Sequence, residues 1–205
     1  PEPIKAADGS YIQQIKGRCA IIISFLEGQG VNIITPQHTQ HLGKSLAMMH
    51  QAGPEFSAYR TNSMGLEAWH TLAKQMGAEV NRIKPGLKQL IFEELDGLDE
   101  QLPHCLSRLP SGLIHADLFP DNVFFLGDGD DLRLSGIIDF YFACNEAFAY
   151  DLAIAINAWC FHTDFSFSTD LYNELLTSYQ LVRQLTESEK AALPMLCRAA
   201  AFRFF

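Results

Sequence analysis

The sequence predicts an α+β chain: a small β portion at the front, then a mainly helical remainder interrupted by a short β insert. Three observations carry this. Residues 10–26 hold β-branched and aromatic runs too short for buried helices. From residue 35 onward apolar side chains recur at helical spacing, as in Leu66, Trp69, Ala73, Met76, Val80 and Ile83. Between 112 and 140 the pattern switches to short strand-like runs before helical spacing resumes.

Along the chain, Asp8-Gly9 marks a turn, and residues 11–15 form a short mixed strand. Lys16-Gly17-Arg18 then turns into a second strand over 19–25, where Ile21, Ile22 and Ile23 favour β structure. Thr35-Pro36 supplies an N-cap and a first-turn proline for a helix with Leu42, Leu46 and Met49 on one face. The stripe from Leu66 to Ile83 predicts one helix ended by Pro85-Gly86, with Trp69 in the core. Leu87, Leu90, Ile91, Glu94 and Leu98 mark the next helix.

Apolar runs at 113–114, 123–126 and 132–138 read as strands. The last two are joined by a hairpin turn through Gly127-Asp128-Gly129-Asp130-Asp131. Its aspartates form a solvated turn, since no Glu follows at the closing position of a calcium loop. Helices then cover 146–161, 169–184 and 187 onward, the last opened by a capping box of Thr186 and Glu189.

The chain has 205 residues, 15 Lys+Arg against 24 Asp+Glu, a formal charge of −9 and 48% hydrophobic residues. That apolar content excludes disorder, and the charge argues against a general nucleic-acid or anionic-membrane surface. The most apolar run, 19–26, is too short to cross a bilayer. The five cysteines (19, 105, 144, 160 and 197) include no C-x-x-C pair. They are expected to be reduced, mostly buried thiols in a cytosolic protein. His38 and His41 are expected as two solvated helix residues rather than a metal pair. Pro1-Glu2-Pro3, without an initiator Met, and Arg203-Phe204-Phe205, inside an apolar helical run, read as cut ends of a longer chain.

The chemistry concentrates in His115-Ala116-Asp117-Leu118-Phe119-Pro120-Asp121-Asn122 and in Ile138-Asp139-Phe140. Asp117 and Asn122 stand at the two ends of a loop that Pro120 keeps from regular structure. The following hairpin returns Asp139 beside Asn122. Three hard oxygen-bearing side chains then converge, a set suited to Mg²⁺ with water and phosphate. The spacing D-x-x-x-x-N followed by D-F matches a phosphoryl-transfer layout: one Asp accepts the attacking hydroxyl's proton, while Asn and the second Asp hold the metal.

Residues 115–122 and 138–140 resemble the aminoglycoside phosphotransferase and choline kinase superfamily, which shares the protein-kinase-like fold. The longer stretches 112–126, 138–153 and 157–161, with 22–28 as a hinge, resemble the bacterial homoserine kinases within it. The likeness runs over nearly the whole chain. It implies that 1–27 is the rear part of a small β lobe with its hinge, and 28–205 a helical lobe carrying the catalytic loop and metal hairpin.

The resemblance further implies that Asp117 is the catalytic base and that Asn122 and Asp139 are the magnesium ligands. It makes His115 a structural support of the loop and Asp151 the helix carboxylate that receives the loop's N–H groups. An alternative for Asp151 is a first-turn Asp favoured by the helix dipole. ATP is expected against Ser24, Phe25, Leu26 and Glu27, with Phe124 and Ile138 as apolar faces. Asn145 and Glu146 are candidates for a substrate amine, near a helix N-terminus.

The implied activity is ATP- and Mg²⁺-dependent phosphorylation of the L-homoserine hydroxyl to O-phosphohomoserine, in the threonine pathway of the cytoplasm. The expected partners are ATP and this small substrate, with no nucleic acid and no membrane. The alternatives are another small-molecule kinase (for choline or ethanolamine, methylthioribose or an aminoglycoside) or a catalytically silent fragment. In the resembled family a glycine-rich loop, an ATP-binding lysine and its glutamate partner precede the matching strands. Lys5 and Lys16 do not match that lysine.

Overall fold

The computed structural model describes residues 1–53 and 56–205. At the front, β1 (Gln13–Ile15) and β2 (Arg18–Ala20) pair antiparallel, with Gln13 opposite Ala20. Their turn, Lys16-Gly17, has positive φ at both positions, 51° and 77°. That geometry matches the twist of the flanking strands. The strand expected over 19–25 stops at Ala20. Beyond it, Ile4 N–H donates to the Ile22 carbonyl and Ser24 N–H to the Glu2 carbonyl, around Pro3 opposite Ile23. Pro3 has no N–H with which to extend a ladder. Ile21, Ile22 and Ile23 are each more than half exposed, and Phe25 is 90% exposed.

Helix α1 (Pro36–Ala52) begins where Thr35-Pro36 predicts. Its capping box closes with His38, whose Nδ1 accepts from the Thr35 N–H at 3.1 Å. His38 is therefore a half-buried cap and not a solvated residue. Among the described residues no group of three or more His, Cys, Asp or Glu could hold a metal.

The 66–83 stripe is broken. Helix α2 (Leu66–Met76) ends at Gly77, whose φ of 56° takes the chain out of the helix, and Glu79–Arg82 form a separate 3-10 turn. Trp69, Ala73 and Val80 still enter the core, whereas Met76 and Ile83 are 42% and 82% exposed. Helix α3 (Leu87–Leu106) buries Leu87, Ile91, Leu95, Leu98 and Leu102.

The β insert contains β3 (Ser111–Ile114), β4 (Val123–Leu126), β5 (Arg133–Ile137) and β6 (Cys144–Ala147). β4 and β5 form the expected hairpin, with Val123 opposite Ile137. β6 was not expected. It pairs antiparallel with β3, Ile114 opposite Cys144 and Ser111 opposite Ala147. Asn145 and Glu146 thus belong to a strand rather than to a helix N-terminus. Helices α4 (Phe148–Trp159), α5 (Thr169–Val182) and α6 (Glu187–Arg203) complete the chain. The Thr186–Glu189 capping box of α6 forms as predicted.

Helix α4 lies at the centre, buried on nearly every face between α6 and the strands. Helix α1 crosses α5 at Gly43, where a Cβ would stand 2.3 Å from the Leu175 carbonyl oxygen and the Ser178 hydroxyl. All five cysteines are free, but only Cys144 and Cys160 are buried, and Cys19 is exposed. Among the described residues no helix is long and apolar enough to cross a membrane.

Candidate active site

β3 delivers the chain into residues 115–122, and the β4–β5 hairpin brings it back to Asp139. Two non-glycine residues here adopt left-handed backbone: Ala116 at φ 63° and Asp139 at φ 61°. Each costs about 1–2 kcal/mol for an L-residue, so the surroundings must hold it. For Ala116 the holder is Asp151 of α4. Its Oδ1 accepts the Ala116 N–H and its Oδ2 the His115 N–H, both at 2.8 Å.

His115 is fully buried and connects the two halves of the site. Its Nδ1 accepts the Asp117 N–H at 3.2 Å, so the proton sits on Nε2, which donates to the Ile138 carbonyl at 2.8 Å. Trp159 Nε1 fixes the far side of the loop by donating to the Leu118 carbonyl at 2.8 Å. With both ring nitrogens committed to backbone, His115 orients the loop and is not set up to exchange protons with a substrate.

Asp117 is half-buried. Burial pushes its carboxyl above the ordinary range; Arg203 and then His115 pull it down, while Asp139 adds to the rise. Asn122 donates from Nδ2 to the Asp117 carbonyl at 2.8 Å and to Asp117 Oδ2 at 3.3 Å, leaving Oδ1 as its free oxygen. The Ile138 N–H donates to the Asn122 carbonyl at 3.0 Å. Asn122 and Asp139 therefore flank the mouth of one hairpin. Asp139 is exposed, and its Oδ1 accepts the Tyr141 N–H at 3.4 Å. An amide oxygen and a carboxylate beside a carboxylate base form a hard-oxygen donor set that fits Mg²⁺.

Of the hinge candidates, Leu26 and Glu27 lie against the hairpin, whereas Phe25 is exposed and Ser24 pairs with the first residues of the chain. Ser24 pairs with Glu2 through its N–H and through its hydroxyl, which accepts the Glu2 N–H at 2.8 Å. The Leu26 side chain packs on Gly136, the Glu27 carbonyl accepts the Ser135 hydroxyl, and Phe124 and Ile138 are half-buried. Gly28, at φ 127°, crosses so close to β4 that a Cβ would stand 2.8 Å from the Phe125 carbonyl oxygen. Asn145 is engaged elsewhere: its Oδ1 accepts the Arg60 N–H at 2.9 Å and its N–H donates to the Arg60 carbonyl at 2.7 Å. Glu146 Oε1 accepts the Ala147 N–H at 3.0 Å.

Four residues, His50, Tyr179, Arg183 and Arg203, were missed from the sequence. His50 of α1 bonds Asp151 Oδ2 through Nε2 at 3.1 Å and the Tyr179 hydroxyl through Nδ1 at 2.8 Å. Arg183 donates to the Tyr179 hydroxyl at 3.1 Å and pairs with the buried Glu189 at 2.8 Å. Burial alone would push the Asp151 carboxyl up, but the His50 bond and charge, with the His115 N–H, hold it below the usual carboxylate value. The fourth is Arg203, buried beside Asp117. For Arg203 the available signal was a charged residue inside the apolar run 199–205.

Residues 1–185 match the phosphotransferase enzyme family. The chain belongs to that family. A homoserine kinase from Sinorhizobium medicae is 47% identical over 205 residues, covering 100% of this chain and 61% of its own length. The chain thus spans about 61% of the length of that curated phosphotransferase relative. An aminoglycoside phosphotransferase from Alicyclobacillus acidocaldarius superposes with a TM-score of 0.68 at 19% identity, covering 97% of this chain and 63% of that one. An amicoumacin kinase solved with AMP-PNP and Ca²⁺ gives 0.69 at 16% identity, covering 98% and 62%. The fold is therefore the expected one, a small β portion joined to the helical lobe of the phosphotransferase family.

Proposed function

We propose that the full protein is a cytoplasmic, ATP- and Mg²⁺-dependent kinase that phosphorylates the hydroxyl of L-homoserine. The observation that carries phosphoryl transfer is the convergence of Asp117, Asn122 and Asp139 on one loop and hairpin mouth. The choice of acceptor is supported by the homoserine kinase relative, at 47% identity across the chain. In this reading residues 1–27 are the rear of the nucleotide lobe with its hinge, and 28–205 carry the catalysis.

Asp117 takes the proton of the acceptor hydroxyl as that oxygen attacks the γ-phosphorus. The O–H bond breaks, the new O–P bond forms, and the bond from phosphorus to the bridging oxygen breaks to release ADP. Asn122 and Asp139 would hold the magnesium ion, which supplies charge neutralisation at the phosphates. His115 and Asp151 keep Asp117 aimed, so the base does not have to be ordered during each turnover. Ser24, Phe25, Leu26 and Glu27 offer backbone polar groups to the adenine edge, with Phe124 and Ile138 beside the ring. Asn145 buttresses residue 60, and Glu146 keeps one carboxylate oxygen for the substrate ammonium.

The test is ATP consumption by the full-length protein against a panel of homoserine, choline, ethanolamine, methylthioribose and an aminoglycoside. Homoserine is expected to give the highest kcat/KM. A higher value for any other acceptor would overturn this assignment.

A further inference from the structure

Arg203, the last residue of α6, is 8% exposed, yet its Nε and Nη1 have no hydrogen-bond partner among the described residues. Leaving donors of a buried guanidinium unpaired is among the costlier arrangements in a protein interior. The Tyr150 hydroxyl, buried in α4, has no partner of normal hydrogen-bond geometry, although the Arg203 guanidinium is close enough to interact with it. Both groups lie at the site. The guanidinium stacks 5.4 Å from the Phe142 ring, three residues beyond Asp139. It also lies 5.0 Å from the Phe204 ring, which makes an edge contact at 4.7 Å with Phe119 of the catalytic loop. Arg203 is close enough to Asp117 to be the strongest influence drawing its carboxyl down against burial. Burial pushes the Tyr150 phenol well up, the nearby Arg203 guanidinium draws it down, and Glu146 adds to the rise.

Asp117 and the Tyr150 phenol both feel the Arg203 guanidinium, and Glu146 acts on that phenol too, so a base, a guanidinium with free donors, a phenol and a carboxylate are grouped together. A substrate bearing a hydroxyl, a carboxylate and an ammonium complements all of them. We propose that Arg203, assisted by the Tyr150 hydroxyl, binds the carboxylate of the acceptor substrate and so selects amino acids over simple amino alcohols. The planar fork of Arg suits a carboxylate, and a desolvated pair excludes a substrate that leaves the fork unpaired. The inference rests on the amino-acid acceptor proposed above.

The experiment compares kcat/KM for L-homoserine with that for 3-amino-1-propanol, its decarboxylated analogue, in the full-length protein and in Arg203→Met and Arg203→Lys. Using the ratio cancels any effect of Arg203 on Asp117, which both substrates share. The ratio is expected to fall about 100-fold in Arg203→Met and about 10-fold in Arg203→Lys, since Lys keeps the charge but loses the fork. A ratio within about twofold of wild type in both variants would overturn the proposal and leave Arg203 paired by the protein's own chain. If Arg203→Met fails to fold by circular dichroism, the Lys variant decides. If wild type ignores homoserine but its best acceptor is another carboxylate-bearing alcohol, the same comparison with that acceptor's decarboxylated analogue decides. In that case the homoserine reading falls separately. A best acceptor without a carboxylate overturns both.

Discussion

Replacing Asp151 with Asn in the full-length protein isolates what holds the catalytic loop. The two carboxylate oxygens bond three partners: the Ala116 N–H on Oδ1, and the His115 N–H and His50 Nε2 on Oδ2, at 2.8, 2.8 and 3.1 Å. An amide has one acceptor oxygen, and its NH₂ faces a donor at the other position. Whichever way it turns, at least one buried N–H loses its acceptor. A lost charge-assisted bond costs about 1.5–3 kcal/mol and an orphaned buried donor about 1–3 kcal/mol, so the expected loss of stability is about 3–5 kcal/mol.

The pH dependence has a definite sign. The folded-state pKa of Asp151 lies below the ordinary value. Its contribution is therefore complete above the unfolded carboxylate value of about 3.9 and disappears as pH falls through the folded value. Urea unfolding of both proteins, from neutral pH downward, should give a large gap that narrows in acid. A neutral-pH gap below about 1 kcal/mol, or one that stays constant in acid, would refute the reasoning.

Asp117→Asn should lower kcat by about 10²–10⁴-fold while leaving nucleotide affinity close to wild type, as read by steady-state kinetics and nucleotide titration. Because burial raises the Asp117 carboxyl and the base works only when ionised, the acid limb of kcat should lie above the ordinary carboxylate value of about 3.9. A magnesium titration of Asn122→Ala and Asp139→Ala should show a higher requirement than wild type in each; wild-type dependence in both displaces the metal site. Gly43→Ala forces a methyl onto the Leu175 carbonyl at the α1–α5 crossing, for an expected loss of about 1–3 kcal/mol. An unchanged thermal midpoint would contradict that contact.

What the sequence disclosed follows from which forces act locally. The Thr35-Pro36 start of α1, the Thr186–Glu189 box of α6 and the β4–β5 hairpin are short-range devices, and all formed where expected. The stripe through Ile83 misled because periodicity does not register Gly77, whose positive-φ backbone ends the helix despite apolar residues beyond it. β6 was hidden because its partner, β3, is far away along the chain, and Cys144–Ala147 lacks β-branched residues of its own. Asp117, Asn122 and Asp139 were legible as a spaced set. His50, Tyr179, Arg183 and Arg203 were not, because their importance lies in contacts across the fold that no local spacing encodes.

The tether at Asp151 has a consequence for how activity is acquired during synthesis. His50 and Asp151 are 101 residues apart, and His50 and Tyr179 are 129 apart. The segment bearing Asp117 and Asn122 is synthesised before Tyr179, Arg183 and Glu189, which complete that tether. A nascent chain that ends just short of Tyr179 already carries the proposed base and first metal ligand, and Asp151 for the Ala116 turn, but not the bonds through Tyr179, Arg183 and Glu189 that brace His50 beneath Asp151. Competence should arrive late and abruptly, when α5 and α6 dock and complete the line from His115 to Glu189. Truncated or stalled products would then carry Asp117 and Asn122 without the complete line of bonds that braces their loop.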